Sequence, residues 1–325
     1  MSRRLSPALV LPVVVLVLAL LAPNALNVTQ VLLLAQAFIY AAFALSLFLL
    51  LADGGIVSFG HAAFLAAGAY GVAVATTKWN IPIGLAFLLA PVICAVLAAI
   101  IGWLSVRLTA LYFAMLTLAF GQFVYSVIAR VGYFGGESGL TGIPSGIVGI
   151  DPDRFYYAGL VVLAVVFVVI HLVRRAPFGL ALRATRENAT RADFAGLSVP
   201  RVRLAAFILS GALGGLAGAL LAVTNGTVSP DLGFWTQSGT VLVMILIGGM
   251  TSMWGPIIGA IALTYGQKYI AEATPEYWQM VLGAALIGLV LFLPGGVAGG
   301  VEAAYRRLAP KPHRRAPTGE PVAER

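Results

Sequence analysis

Residues 174–203 read RRAPFGLALRATRENATRADFAGLSVPRVR. Seven arginines (Arg174, Arg175, Arg183, Arg186, Arg191, Arg201 and Arg203) and two acids, Glu187 and Asp193, crowd this stretch, between long runs that carry almost no charge. A charge at the centre of a bilayer costs about 3 kcal/mol or more. The island therefore lies outside the lipid, and its basic excess places it on the cytoplasmic side. The apolar runs on either side of it must then be membrane spans.

Composition agrees. Of the 325 residues 60% are hydrophobic and 10% charged, and mean hydropathy is +0.98. A soluble domain carries about a quarter charged residues. The fold class is all-α, a polytopic transmembrane helix bundle, since backbone in lipid must satisfy its own hydrogen bonds. The 37 glycines suit close approach of helices in lipid. Residues 1–308 read as one transmembrane domain, because no polar block is long enough to fold alone. Residues 309–325, rich in Pro, Arg and acids, read as a disordered cytoplasmic tail. The net charge of +8 comes from residues at span ends and in the tail, so it is an orientation signal and not a nucleic-acid surface. Cys94 is the sole cysteine, which excludes an internal disulfide, and no Cys/His spacing points to a metal.

Ten spans are expected, near 7–22, 30–51, 56–77, 82–106, 109–129, 156–173, 203–223, 236–251, 255–270 and 277–293. Residues 1–22 resemble a signal peptide, with Arg3 and Arg4 before an apolar core. No clear small-x-small cleavage site follows, and they are read as an uncleaved first span. Pro91 should kink the fourth span. The eighth and ninth are short and interrupted by glycine. With both termini cytoplasmic and strict alternation, every basic residue except Lys78, Arg130, Arg154 and Lys268 falls inside, while the acids divide evenly. Basic bias with indifferent acids is the pattern the positive-inside rule describes.

The periplasmic loop 131–155 is rich in glycine and is either a connector or a cover for a mouth or partner. Gly54-Gly55-Ile56-Val57-Ser58 echoes Gly248-Gly249-Met250-Thr251-Ser252, by duplication or by chance. No nucleophile elbow, phosphate-binding loop or His-Glu-x-x-His is present. Ion-coupled carriers place charged residues at mid-membrane, and here the spans hold hardly an ionisable group besides His61. Uphill transport would need energy from another subunit.

Within the island a short helix is expected over 183–196. Arg183, Arg186, Glu187, Thr190 and Arg191 then share one face. Glu187 stands four residues before Arg191, the favourable ion-pair order. Gly196 provides a left-handed stop, and Ser198 with Pro200 would open the next helix.

At this point the chain resembles a family. Phe178-Gly179-Leu180-Ala181-Leu182-Arg183-Ala184-Thr185-Arg186-Glu187-Asn188, followed by Ala192, Gly196 and Val199, is similar to the cytoplasmic coupling loop of branched-chain amino acid ABC importer permeases. Asp53-Gly54-Gly55-Ile56-Val57-Ser58-Phe59-Gly60-His61-Ala62-Ala63-Phe64, Leu111-Tyr112-Phe113-Ala114-Met115-Leu116-Thr117-Leu118-Ala119-Phe120 and Leu291-Phe292-Leu293-Pro294-Gly295-Gly296 resemble that family's other motifs in order. Gly296 departs from it, the family often having Arg there. The resemblance implies a bacterial inner-membrane subunit that pairs with a second permease, two cytoplasmic ATPase subunits and a periplasmic substrate-binding protein. It implies no cofactor of its own. Arg183, Arg186, Glu187, Arg191, Asp193 and Gly196 would couple it to the ATPases.

Ser58, His61, Gln122 and Asn225 are candidate polar liners of the pathway. Hydrogen bonding inside the bundle is the alternative for Ser58, His61 and Gln122. Trp79, Trp235 and Trp278 fit interfacial anchors. The same architecture serving urea, a short amide or another small solute is a second reading. A self-contained channel or carrier is a third. An enzyme is disfavoured, since no paired carboxylates, metal cluster or nucleophile–base set is visible.

Overall fold

The computed structural model describes residues 22–145 and 151–277, and scattered positions between 280 and 299. Spans expected at 7–22 and over most of 277–293, and the tail 309–325, lie outside the described residues. The other expected spans each fall on a helix. These are α1 (Val28–Phe48), α2 (Ala62–Thr77), α3 (Ile83–Ser105), α4 (Ala110–Arg130), α5 (Pro152–Arg175), α8 (Val199–Asn225), α9 (Trp235–Gly248) and α10 (Trp254–Ala273). Two short helices, α6 (Pro177–Glu187) and α7 (Ala189–Phe194), build the island. Five described helices are long and apolar enough to cross a membrane: α1 with the turn that follows it, α3, α4, α5 and α8.

Burial sorts these helices into layers. A helix that is hydrophobic all round belongs in the interior of a bundle. α1 is one: Phe38, Ile39, Phe43, Leu45, Leu47 and Phe48 are all buried, on every side of it. α2, buried along almost all of its length, and α8, which packs along α3, α2 and α1, are also interior. α3 instead turns Leu88, Val92, Val96 and Ile100 outward, which suits a lipid-facing rim. It runs unbroken through Pro91.

Close packing of the interior rests on glycine. A β-carbon on Gly68 of α2 would collide with the Gly215 carbonyl of α8, and one on Gly218 with the Leu65 carbonyl. Small residues let backbones approach where no water drives association.

Two spans are not helical throughout. The span expected at 56–77 becomes helical only at Ala62. α1 ends instead in a π turn, Leu49–Asp53, and residues 54–61 run irregularly. α9 stops at Gly248, and α10 begins at Trp254. In the echo seen above, the second glycine of each pair has positive φ, +65° at Gly55 and +99° at Gly249.

The two ends of the bundle are distinct. Loop 106–109 meets the start of α8 through Arg107, Pro200 and Arg201, at the island's end. At the other end strand β1 (Leu140–Thr141) pairs antiparallel with β2 (Thr227–Val228), Leu140 opposite Val228. That pairing ties the loop before α5 to the linker after α8.

The glycine seam is testable. Gly218→Val should lower the thermal unfolding midpoint of the detergent-solubilised protein by an amount equivalent to about 3 kcal/mol. Gly84→Ala, where a β-carbon would meet nothing within 4 Å, should leave the midpoint unchanged to within about 1 °C.

Candidate functional site

The island is built by two stops. α5 carries Arg174 and Arg175 in its last turn and ends at Ala176 in extended conformation. Pro177, with its φ already helical, then opens α6. α6 ends at Asn188, which is extended (φ −158°), and the Asn188 side-chain oxygen accepts the Arg191 N–H at 2.9 Å. The single helix expected over 183–196 is therefore two helices with a break. Asparagine is a strong N-cap residue, and here it starts a new helix. Arg183, Arg186 and Glu187 consequently lie on α6, and Thr190 and Arg191 on α7. Past α7, Gly196 has φ +85° while the Leu197 N–H reaches the Ala192 carbonyl at 3.1 Å, the bond of a left-handed helix stop. Ser198 stands at the cap position of α8, but its side chain makes no capping hydrogen bond.

The island has two faces. Inward, Gly179, Leu182 and Thr185 are buried against the bundle. Arg183 and Arg186 also turn inward. Arg174 Nε stands 2.8 Å from Asp53 Oδ2, and Arg183 NH1 3.6 Å from Oδ1. The first contact has ion-pair distance without hydrogen-bond alignment. Arg186 donates to the Ala52 carbonyl, Arg183 to the Arg174 carbonyl at 3.1 Å, and Arg203 to the Thr185 carbonyl at 3.4 Å. Arg174 also lies over the Phe48 ring, 5.4 Å from its centre. Outward, Leu180 is 62% and Phe194 89% exposed, among the exposed Glu187, Arg191 and Asp193. An exposed phenylalanine beside charged groups is the composition of an interface patch.

Asp53 was legible in the sequence as the first residue of a glycine-rich motif at a span end. Its partners were not, because they stand more than a hundred residues away.

The pathway candidates are not all brought together. His61 is fully buried, stacked on Phe43 and edge-on to Phe64, with Nε2 2.8 Å from Ser46 Oγ. Ser46 Oγ donates to the Phe43 carbonyl at 2.7 Å, so in that arrangement His61 Nε2–H is the donor to Ser46. Ser210 of α8 donates to the Ser46 carbonyl at 2.5 Å, and Ser238 of α9 accepts the Ala62 N–H at 2.8 Å. These contacts tie α1, α2, α8 and α9 together where α2 begins. Ser58 is buried nearby, and its hydroxyl bonds to no described residue. Gln122 follows Gly121, where an added β-carbon would stand 3.0 Å from the Gly60 Cα. Its amide nitrogen also lacks a described partner. Asn225 lies apart, at the end of α8 remote from the island, lining a cavity of about 330 Å³ with Gln36, Thr224 and Phe155. Among the described residues no group of three His, Cys, Asp or Glu is placed to hold a metal.

Comparison with known proteins adds three findings. Residues 30–290 match the family described as branched-chain amino acid transport system, permease component. The chain is 29% identical over 287 residues to the high-affinity branched-chain amino acid transport system permease protein LivM of Salmonella typhimurium, covering 80% of this chain and 67% of LivM, and equally to LivM of Escherichia coli K12. It is 30% identical over 131 residues, 40% of this chain and 42% of the relative, to the LivH permease of Escherichia coli K12. No solved structure matches.

The serine–histidine contacts give a second measurement. A double-mutant cycle of Ser46→Ala and His61→Phe should show a coupling of about 0.6 kcal/mol, and no more than about 1.7, in unfolding of the solubilised protein.

Proposed function

The chain belongs to the branched-chain amino acid transport permease family, and on that premise we propose that it is one of two membrane subunits of an ATP-driven importer of branched-chain amino acids. Its match to LivM runs along most of the chain, and its match to LivH is shorter. Both relatives are named as permeases of a branched-chain amino acid system, which supports a pair in which this chain takes the LivM-like place. The reading puts the protein in a bacterial inner membrane with the island in the cytoplasm. A periplasmic binding protein delivers the amino acid to the end carrying β1 and β2.

The family match over 30–290 carries this reading, since that stretch includes the whole island. No phosphate-binding loop occurs in the sequence, so two partner ATPases supply the energy. They dock on the island's outward face, where Phe194 and Leu180 enter an apolar socket and Glu187, Arg191 and Asp193 make the polar rim. Gly196 holds the turn that aims Phe194. Closure of the ATPase pair pushes α6 and α7, and the spans switch from outward to inward opening.

The substrate's aliphatic side chain needs no charged partner along the way. Among the pathway candidates, Gln122 fits a lining role through its unpaired amide nitrogen. His61 fits the interior of the bundle, where its ring is enclosed.

Two measurements test the reading. In proteoliposomes holding both permeases and the ATPases, labelled leucine should accumulate only with ATP and the binding protein. Uptake without ATP would favour a channel. Phe194→Ser or Glu187→Arg should weaken ATPase association by about tenfold or more, as removal of an interface anchor does. Normal association and uptake in both variants would remove the docking assignment.

A further inference from the structure

We infer that Asp53 is the joint through which movement of the island reaches the membrane helices. The inference rests on the reading of the island as the ATPase-facing lever. Asp53 is the last residue of the π turn that ends α1, and only 1% of it is exposed. Its two carboxylate oxygens face different elements: Oδ2 the Arg174 guanidinium at the end of α5, and Oδ1 that of Arg183 on α6. Arg186, one turn further along α6, donates to the carbonyl of neighbouring Ala52, and its aliphatic stem lies where a β-carbon on Gly55 would be. Three arginines from two helices thus grip residues 52–55.

Stability alone is a weak reason for such a grip, because a buried ion pair seldom outperforms apolar packing of equal volume. Its place in the fold supplies a better one. A π turn is a point where helical winding readily changes, and such turns collect at functional sites. Beyond it, residues 54–61 are irregular and lead to His61 and Ala62, which are tied to Ser46 and Ser238 on α1 and α9. A displacement of α6 acts through the carboxylate on this turn and thence on the junction of α1, α2 and α9. Besides these polar contacts, α6 packs Leu182 on Gly54 and the Arg186 stem on Gly55. Asp53 is therefore a positioning residue, acting on the pathway through the π turn.

Asp53→Asn is the discriminating variant. It keeps the shape and removes the charge, and the two arginine side chains, 25% and 35% exposed, retain access to water. The assembled complex is reconstituted with its binding protein, and ATP hydrolysis and leucine uptake are measured on the same vesicles. The variant should assemble and hydrolyse ATP, while leucine imported per ATP falls about tenfold, within the usual span of coupling between sites. Uptake per ATP equal to wild type would overturn the joint. If Asp53→Asn does not assemble, the ratio is read on Arg183→Gln, in which Arg174 still compensates the carboxylate. An unchanged ratio there overturns the joint as well. A wild-type complex that shows no ATP-driven uptake would instead overturn the importer reading, so the two failures are distinct.

Discussion

Hydrocarbon gives a peptide group nothing to bond to, and this fold depends on how that constraint is met. Most of the chain meets it with uninterrupted helix. Among the described residues the exceptions within the expected spans are 54–61, which is largely buried, and 249–253, where Met250 and Thr251 are exposed. At the first, the serine of α9 takes up the N–H of Ala62, and α4 closes over the segment where Gly121 meets Gly60. At the second, Gly249 lies against Gly295 and Gly296, backbone on backbone. Irregular backbone is tolerated in membranes only where protein surrounds it or a cavity adjoins it. The first break is thus a point where a membrane helix bundle can bend without exposing peptide groups to lipid.

The arginine island joins this interior to the outside. Its inward residues are charged yet answer to the protein's own Asp53, while its outward residues include a phenylalanine that the chain leaves uncovered. That inverts the usual arrangement, in which charge faces water and aromatic rings face the core. The inversion suits the proposed lever: ionic contacts hold the island to the bundle helices, and apolar area is left on its outer face.

Much of this was legible in the sequence, for physical reasons that differ by element. Long apolar runs announce spans because lipid thickness fixes their length, and α1, α3, α4 and α8 fall within a few residues of where hydropathy puts them. Gly196 was legible because a glycine after a helical pattern has few other uses. The break at Asn188 was not, since periodicity carried past it and the capping bond depends on the local turn. The π turn lay at the end of one expected span, and most of the irregular stretch lay at the start of the next, 56–77, whose apolar composition hid its late start at Ala62. The burial of Asp53 was hidden in another way: a carboxylate at a span end looks solvated until Arg174 and Arg183 are seen folded onto it. Serines 46, 210 and 238 looked like ordinary small residues, and their role comes from which helices meet.

The glycine seam has a mechanical consequence. Where Gly68, Gly215 and Gly218 bring backbone against backbone, rotamer changes can do little to let α2 and α8 slide. With α3 alongside, those helices form a stiff slab, because close-packed interiors transmit displacement instead of absorbing it. Any change of shape is then left to the less tightly bound pieces: α4, whose Leu111, Tyr112, Met115 and Phe123 face outward, and the hinged pair α9 and α10.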